Sequence, residues 1–246
     1  MFEWDENKVR FRIDSARQTN FHATIAKWLA ERFPDPGAVS LCDAGCGLGY
    51  LSLALAPYFG SVTSIDISPI ALAVLEEEAK CRGISNIRIC LEDLLGDPSV
   101  KPEAYDTMVF SFFGNIGEIL KIAGPRCSGQ IFIIKKNDQH HRFSVSHAVR
   151  KYDSMAWAIA DLNSLHLPFT KEDMSIEDGQ PLRSLEDAEE FFLLYARGED
   201  AKLITPDYVR SLLEETDDPE FPYYYRRDCV FSILTVDLSG YHGEMP

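Results

Sequence analysis

The stretch from Val39 to Tyr50 constrains this chain more than any other. It reads Val-Ser-Leu-Cys-Asp-Ala-Gly-Cys-Gly-Leu-Gly-Tyr. An apolar run ends in Asp43, glycines follow at 45, 47 and 49, and Leu51 to Ala56 is rich in helix formers. That order predicts strand, tight turn and helix. Glycine accepts left-handed backbone angles and lets a ligand lie against the main chain. Unpaired amides at a helix start carry partial positive charge, so the turn should seat an anionic group.

A dinucleotide fingerprint would carry a further glycine three residues after Gly47, where the helix packs on its strand. Tyr50 stands there instead. The turn Gly-x-Gly-x-Gly, preceded by Asp43 and with Cys46 between two glycines, resembles the first motif of class I S-adenosylmethionine-dependent methyltransferases. The resemblance covers residues 38 to 136. It implies an α/β fold: a doubly wound, mostly parallel seven-stranded sheet, Rossmann-like, with a helical cap inserted after strand 5. It implies S-adenosyl-L-methionine as cofactor and S-adenosyl-L-homocysteine as product. Asp43, Gly45, Cys46, Gly47 and Gly49 would then hold the methionine end. Tyr50 disfavours the alternative of an NAD(P)-dependent oxidoreductase. A non-catalytic regulator or scaffold that keeps the pocket is a third alternative.

The chain has 246 residues, 46% of them hydrophobic, enough for one domain with a full core. No apolar run is long enough to span a bilayer. The acidic start, Met1 to Glu6, lacks an apolar signal core, and six scattered cysteines form no Cys-x-x-Cys pair. These features predict free thiols, no zinc site and a cytoplasmic location. The net charge of −15 argues against a nucleic-acid partner, whose backbone needs a basic surface. Lys135-Lys136 with Arg142 and Arg150-Lys151 is too sparse to supply one. A small-molecule acceptor is expected, and the acidity points to a neutral or cationic one. The oligomeric state is not legible.

Residues 1 to 36 read as an N-terminal helical arm. Ser15 to Gln18 has the form of a capping box, and Phe21, Ile25, Trp28 and Leu29 recur at helical spacing. By resemblance this arm, with Trp4 and His22, lies over the cofactor pocket. Ser61 to Ile67 is a second strand ending at Asp66. Ser68 and Pro69 start a helix, and Gly83 follows its end. Asp66 lies about twenty residues beyond the glycine turn, where an acidic side chain accepts from ribose hydroxyls. Ile67 offers adenine an apolar face. Asn86 to Leu91 is a third strand. The resemblance then places Asp93 at the adenine amino group, with Glu92 as its rival, and Leu94 in the same loop.

Tyr105 to Phe110 is a fourth strand whose mouth is Ser111-Phe112-Phe113-Gly114-Asn115. In the resembling family this mouth faces the transferable methyl. The Asn/Asp-Pro-Pro-Tyr of amine methyltransferases, the Pro-Cys of cytosine carbon-5 enzymes and the metal-binding aspartate of catechol-type enzymes are all missing. No metal is therefore expected, and Ser111 and Phe112 are assigned to the cofactor site. An aromatic face suits a sulfonium. A helix over 115–123 leads to a fifth strand, Gln130 to Lys135. Five strand–helix units predict parallel strands, with Asp43, Asp66, Asp93 and Ser111 gathered at their carboxyl ends.

Beyond the fifth strand lie a polar loop, a helix over 143–165, a strand over 170–177, helices starting at Ser184 and Thr205, and a final strand within 228–238. The excursion from 137 to 170 is the expected acceptor pocket, within a cap over 137–227. Methyl transfer from a sulfonium is an in-line displacement with a neutral leaving group, so positioning and water exclusion dominate. A base matters only for an acceptor that still carries a proton. His140 and His141, at the mouth of the fifth strand, are the candidates, with Tyr152 behind them.

Overall fold

Seven strands form one twisted sheet in the order β3-β2-β1-β4-β5-β10-β6. The protein is described here from a computed structural model over residues 4–96, 103–137, 154–196 and 198–239, with the side chains of 198–200 excepted. The strands are β1 (Ser40–Ala44), β2 (Ser61–Asp66), β3 (Ile87–Leu91), β4 (Thr107–Ser111), β5 (Gln130–Lys136), β6 (Phe169–Glu177), β7 (Gln180–Leu182), β8 (Glu214–Glu215), β9 (Tyr223–Tyr225) and β10 (Asp228–Asp237). The α-helices are α1 (Glu6–Gln18), α2 (Phe21–Ala30), α3 (Tyr50–Leu55), α4 (Pro69–Cys81), α5 (Ile116–Ala123), α6 (Ser154–Ser164), α7 (Leu185–Tyr195) and α8 (Pro206–Ser211). β1 to β5 pair in parallel, and β10 runs antiparallel between β5 and β6.

Both faces of the central strands β1, β4 and β5 are covered, which is why they are largely apolar. Leu41, Val62, Val109, Phe132 and Ile134 face Phe21, Ile25 and Leu29 of α2 and Leu51 and Leu55 of α3. Cys42, Ala44, Met108, Phe110, Ile131 and Ile133 face α5 and α6. Each such side chain taken fully out of water contributes roughly 1.5–3 kcal/mol. The chain winds outward from β1 to β3 and then crosses to β4. The tips of β1 and β4 therefore flank the point where strand order reverses, where open α/β sheets bind ligands.

Local signals start α4, as expected, and α5. The Ser68 hydroxyl accepts from Ala71 N at 3.3 Å with Pro69 in the first turn. Asn115 and Glu118 exchange side-chain-to-backbone bonds of 3.0 and 2.8 Å, a capping box. At Ser15 the expectation is corrected. α1 runs through that position, is capped by Asp5, and breaks only at Thr19 and Asn20. Buried Ser15 donates instead to the Gly179 carbonyl at 2.8 Å and to Asp178 at 3.2 Å, a distant partner that overrides the local motif.

The expected cap takes a specific form. Of the excursion 137–170, residues 138–153 lie outside the described residues. The helix expected over 143–165 is seen as α6, which buries Met155, Ala158 and Leu162 against the sheet. A second lobe stands between β6 and β10, made of α7, α8 and a three-stranded sheet of order β7-β9-β8. α1 belongs to it, because Phe11 packs with Leu182, Phe191, Phe192 and Val209. Among the described residues no helix is long and apolar enough to cross a membrane.

Candidate active site

The glycine turn is pinned at its start, where the amides of Gly45 and Cys46 both donate to the Ile65 carbonyl at 2.8 and 3.0 Å. Gly45 has φ +72, and a Cβ there would lie 2.4 Å from Phe113 Cδ2. Backbone angle and a ring from β4 thus both exclude a side chain. Gly47 has φ +55, and a Cβ would meet Trp4 Cζ2 at 3.1 Å. Trp4 of the N-terminal arm therefore lies against this turn. Gly49 is the N-cap residue of α3. The amides are less open than the sequence suggests, since Gly47 N donates to Asp66 Oδ2 at 2.8 Å and Gly49 N to the Cys46 carbonyl at 3.0 Å.

Asp43 is completely buried two residues before the turn. Its Oδ2 accepts from the Ser52 hydroxyl at 2.6 Å, while Oδ1 has no hydrogen-bond partner among the described residues. Burial first, and the nearby Asp66 charge second, push its carboxyl up to about 6, against the Ser52 bond. A buried acceptor without a donor is costly and marks a place for a ligand's cation or N–H. The methionine end of S-adenosylmethionine carries an ammonium, so this acceptor fits that cofactor.

Asp66 closes β2, one residue beyond Ile65, whose register partner is Ala44. It accepts from Gly47 N and, at 2.9 Å, from Ser68 N. A carboxylate has about four acceptor sites, so roughly two are left for hydroxyls. Ile67 beside it is exposed. After β3, Glu92 and Asp93 separate. Glu92 is committed to the buried guanidinium of Arg126, with Nη1 to Oε2 at 3.4 Å. Asp93 is exposed, and among the described residues its side chain accepts a local bond from Leu95 N at 3.0 Å. Leu94 is half-buried against the core.

At the tip of β4, half-buried Ser111 is followed by Phe112 with φ +56, a left-handed angle that costs a bulky residue strain. The Phe112 ring is 39% exposed. It is stacked at 6.5 Å on Phe21, meets Phe231 edge-on at 6.1 Å, and has Lys136 Nζ at 5.7 Å from its centroid. Phe113 turns the other way, stacked at 6.4 Å on Phe110 and pressed on Gly45. So the tip splits into one ring on the glycine turn and one exposed ring.

The arm adds residues that the sequence did not single out. Arg12 Nη1 donates to both oxygens of fully buried Asp178, at 2.9 and 3.2 Å, and Nη2 lies 3.0 Å from His22 Nε2. Arginine has no acceptor, so His22 Nε2 accepts and the ring's proton sits on Nδ1. The His22 ring is 5.8 Å from that of Tyr50, the first residue of α3. No local pattern announces this cluster, because Asp178 is 166 positions from Arg12. His140, His141 and Tyr152, expected to act on the acceptor, lie outside the described residues. No group of three or more metal-binding side chains is found among the described residues.

Residues 37–167 match a family model described as a methyltransferase domain. A search of curated proteins finds no match. Among solved structures, a SAM-dependent methyltransferase from Aquifex aeolicus is 13% identical, with TM-score 0.55 over 95% of this chain and 99% of its own. The YcgJ protein from Bacillus subtilis is 14% identical, with TM-score 0.54 over 88% and 97%. The [4+2]-cyclase SpnF is 17% identical, with TM-score 0.51 over 87% and 80%. At these identities the likeness is one of fold.

Proposed function

The chain belongs to the methyltransferase domain family, as a class I S-adenosylmethionine-dependent methyltransferase of unspecified subfamily, and we propose that it methylates a small molecule. S-adenosylmethionine, when bound, supplies an electrophilic methyl group on a sulfonium. In this reading the turn from Gly45 to Gly49, with Cys46 and the buried carboxyl of Asp43, holds the amino-acid end. Asp66 takes the ribose hydroxyls, Ile67 and Leu94 face the adenine, and Asp93 takes its amino group. Ser111 and Phe112 border the methyl, where an aromatic face suits positive charge.

The single observation that carries the cofactor assignment is Asp43 Oδ1, a buried carboxylate oxygen without a donor two residues before the glycine turn. The acceptor assignment rests on the surroundings of Phe112. An exposed ring bordered by Phe21 and Phe231 offers a flat apolar wall, and Phe21, from α2 of the N-terminal arm, helps to exclude water on its side. Alignment on that wall supplies most of the rate, and for an acceptor that still carries its proton we assign the base to His140 or His141, with Tyr152 as the weaker candidate. The six free cysteines suit a reducing, cytoplasmic setting.

The fold alone does not fix the chemistry, since it is shared with a protein described as a cyclase. The test is twofold. Calorimetry with S-adenosylhomocysteine should show saturable uptake that Asp66→Ala weakens. Incubation with S-adenosylmethionine and a metabolite extract should give a product heavier by one methylene. Uptake without product across broad extracts would instead support a non-catalytic regulator, and no uptake would end the reading.

A further inference from the structure

Lys135 is the one lysine of the parallel sheet whose side chain is buried among the described residues, at 7% exposure, and nothing in the cofactor assignment uses it. It lies on the α5 and α6 face of β5, the face of Ile131 and Ile133. Its Nζ donates to the Phe113 carbonyl at 2.9 Å and also to the Gly114 carbonyl. Those carbonyls belong to the turn after β4, where Phe112 and Gly114 both have positive φ, +56 and +64. A turn with two left-handed residues persists only when its surroundings hold it. The Phe112 amide is tied to β5 as well, donating to Ile134 at 3.0 Å. The Phe113 ring, in turn, lies against Gly45 so closely that a Cβ there would be 2.4 Å from it.

We infer that Lys135 is a positioning residue that locks the β4 turn, so that Phe113 abuts the cofactor turn while Phe112 faces the opening. The inference rests on the methyltransferase reading, and goes beyond it by naming a lysine on β5 that couples the β4 tip to the β1 tip. An ammonium is suited to this task because it offers three donors from one point to two converging carbonyls. Among the described residues, α5 brings the charged Glu118, and β10 brings the uncharged Ser232 in register, itself bonded one strand further to Asp173 of β6. Burial pushes the lysine down to about 8, with Glu118 opposing, so the lock weakens as pH rises through that value.

The first measurement needs neither a variant nor a ligand. In the ¹⁵N-labelled protein, the Gly45 and Gly114 amide resonances should move together with one midpoint near 8. A Gly114 resonance that titrates while Gly45 stays still would overturn the coupling. The second uses Lys135→Met and Lys135→Arg with S-adenosylhomocysteine as the probe at pH 7. Lys135→Met should bind about tenfold more weakly and lose the pH dependence of binding between 7 and 9. Lys135→Arg should recover most of the affinity and keep it at pH 9. Lys135→Met with wild-type affinity and wild-type pH dependence would refute the role. If the wild type takes up no S-adenosylhomocysteine, the methyltransferase reading fails, and the resonance titration still decides the lock.

Discussion

The Gly47 amide donates to Oδ2 of Asp66 over 2.8 Å, so the turn after β1 is latched to the tip of β2. The same carboxylate also receives Ser68 N, where α4 begins. One side chain thus organises two tips that the proposed cofactor must span. Asp66→Ala leaves two amides without their acceptor, at roughly 1–3 kcal/mol for a buried group. S-adenosylhomocysteine affinity should fall by about tenfold or more, since each ~1.4 kcal/mol is a factor of ten. Asp66→Asn keeps one acceptor oxygen and should lose less. Calorimetry beside circular dichroism separates lost binding from lost fold, and wild-type affinity in Asp66→Ala would remove Asp66 from the site.

Gly45 and Phe113 should be energetically coupled. Gly45→Ala adds a methyl at φ +72 and drives it to 2.4 Å from the Phe113 ring. Strain at such an angle is of order 1–3 kcal/mol, and overpacking adds about as much. Phe113→Ala removes the collision but not the angle. The double variant should therefore be more stable than the sum of the singles by about 1–2 kcal/mol in urea unfolding. Additivity within ~0.5 kcal/mol would mean that the ring yields freely.

What could be read from the chain, and what could not, divides by range. The turn at Gly45 to Gly49, the cap at Ser68 and the capping box at Asn115 are written within a few residues, and the structure has each. The capping signal at Ser15 is equally local and misleads, because Asp178 and Gly179 of the β6–β7 turn, far along the chain, compete for the hydroxyl. Arg12, Asp178 and Lys135 were not legible as a site. Their partners are a buried carboxylate 166 positions away and two main-chain carbonyls, which leave no motif. The resemblance put Asp93 first and Glu92 as its rival at one position, and in the fold Glu92 is paired with Arg126 while Asp93 stays exposed.

Asp43 should trade stability for binding. Its folded carboxyl is raised from 3.8 to about 6, so the associated stability is full below the unfolded value and is lost as pH rises through 6. Two units correspond to about 3 kcal/mol. Ligand-free protein should thus gain from Asp43→Asn at pH 7.5, seen as a higher Tm, while little difference is expected well below pH 4. The same variant should bind S-adenosylhomocysteine at least tenfold more weakly, because the carboxylate facing an ammonium is gone. A variant that is destabilised at pH 7.5 would show that Ser52 and the packing around Asp43 outweigh its desolvation.

Arg12 and Asp178 should show how the arm is held. Two bonds of 2.9 and 3.2 Å join α1 to the β6–β7 turn, and the same guanidinium reaches His22 beside Tyr50. Removing one partner of a buried pair leaves an uncompensated charge, at about 3–5 kcal/mol. Asp178→Ala should therefore lower Tm by roughly 10 °C for a chain of this size. Arg12→Met with Asp178→Leu removes both charges together, and should recover most of that loss, since an apolar pair of similar volume avoids desolvation. Stability and binding then come apart. The apolar pair takes the guanidinium away from His22, so S-adenosylhomocysteine binding in the double variant should stay weakened although Tm returns. Recovery of both would make the pair a fastener for α1 alone, with no part in ordering His22 against Tyr50.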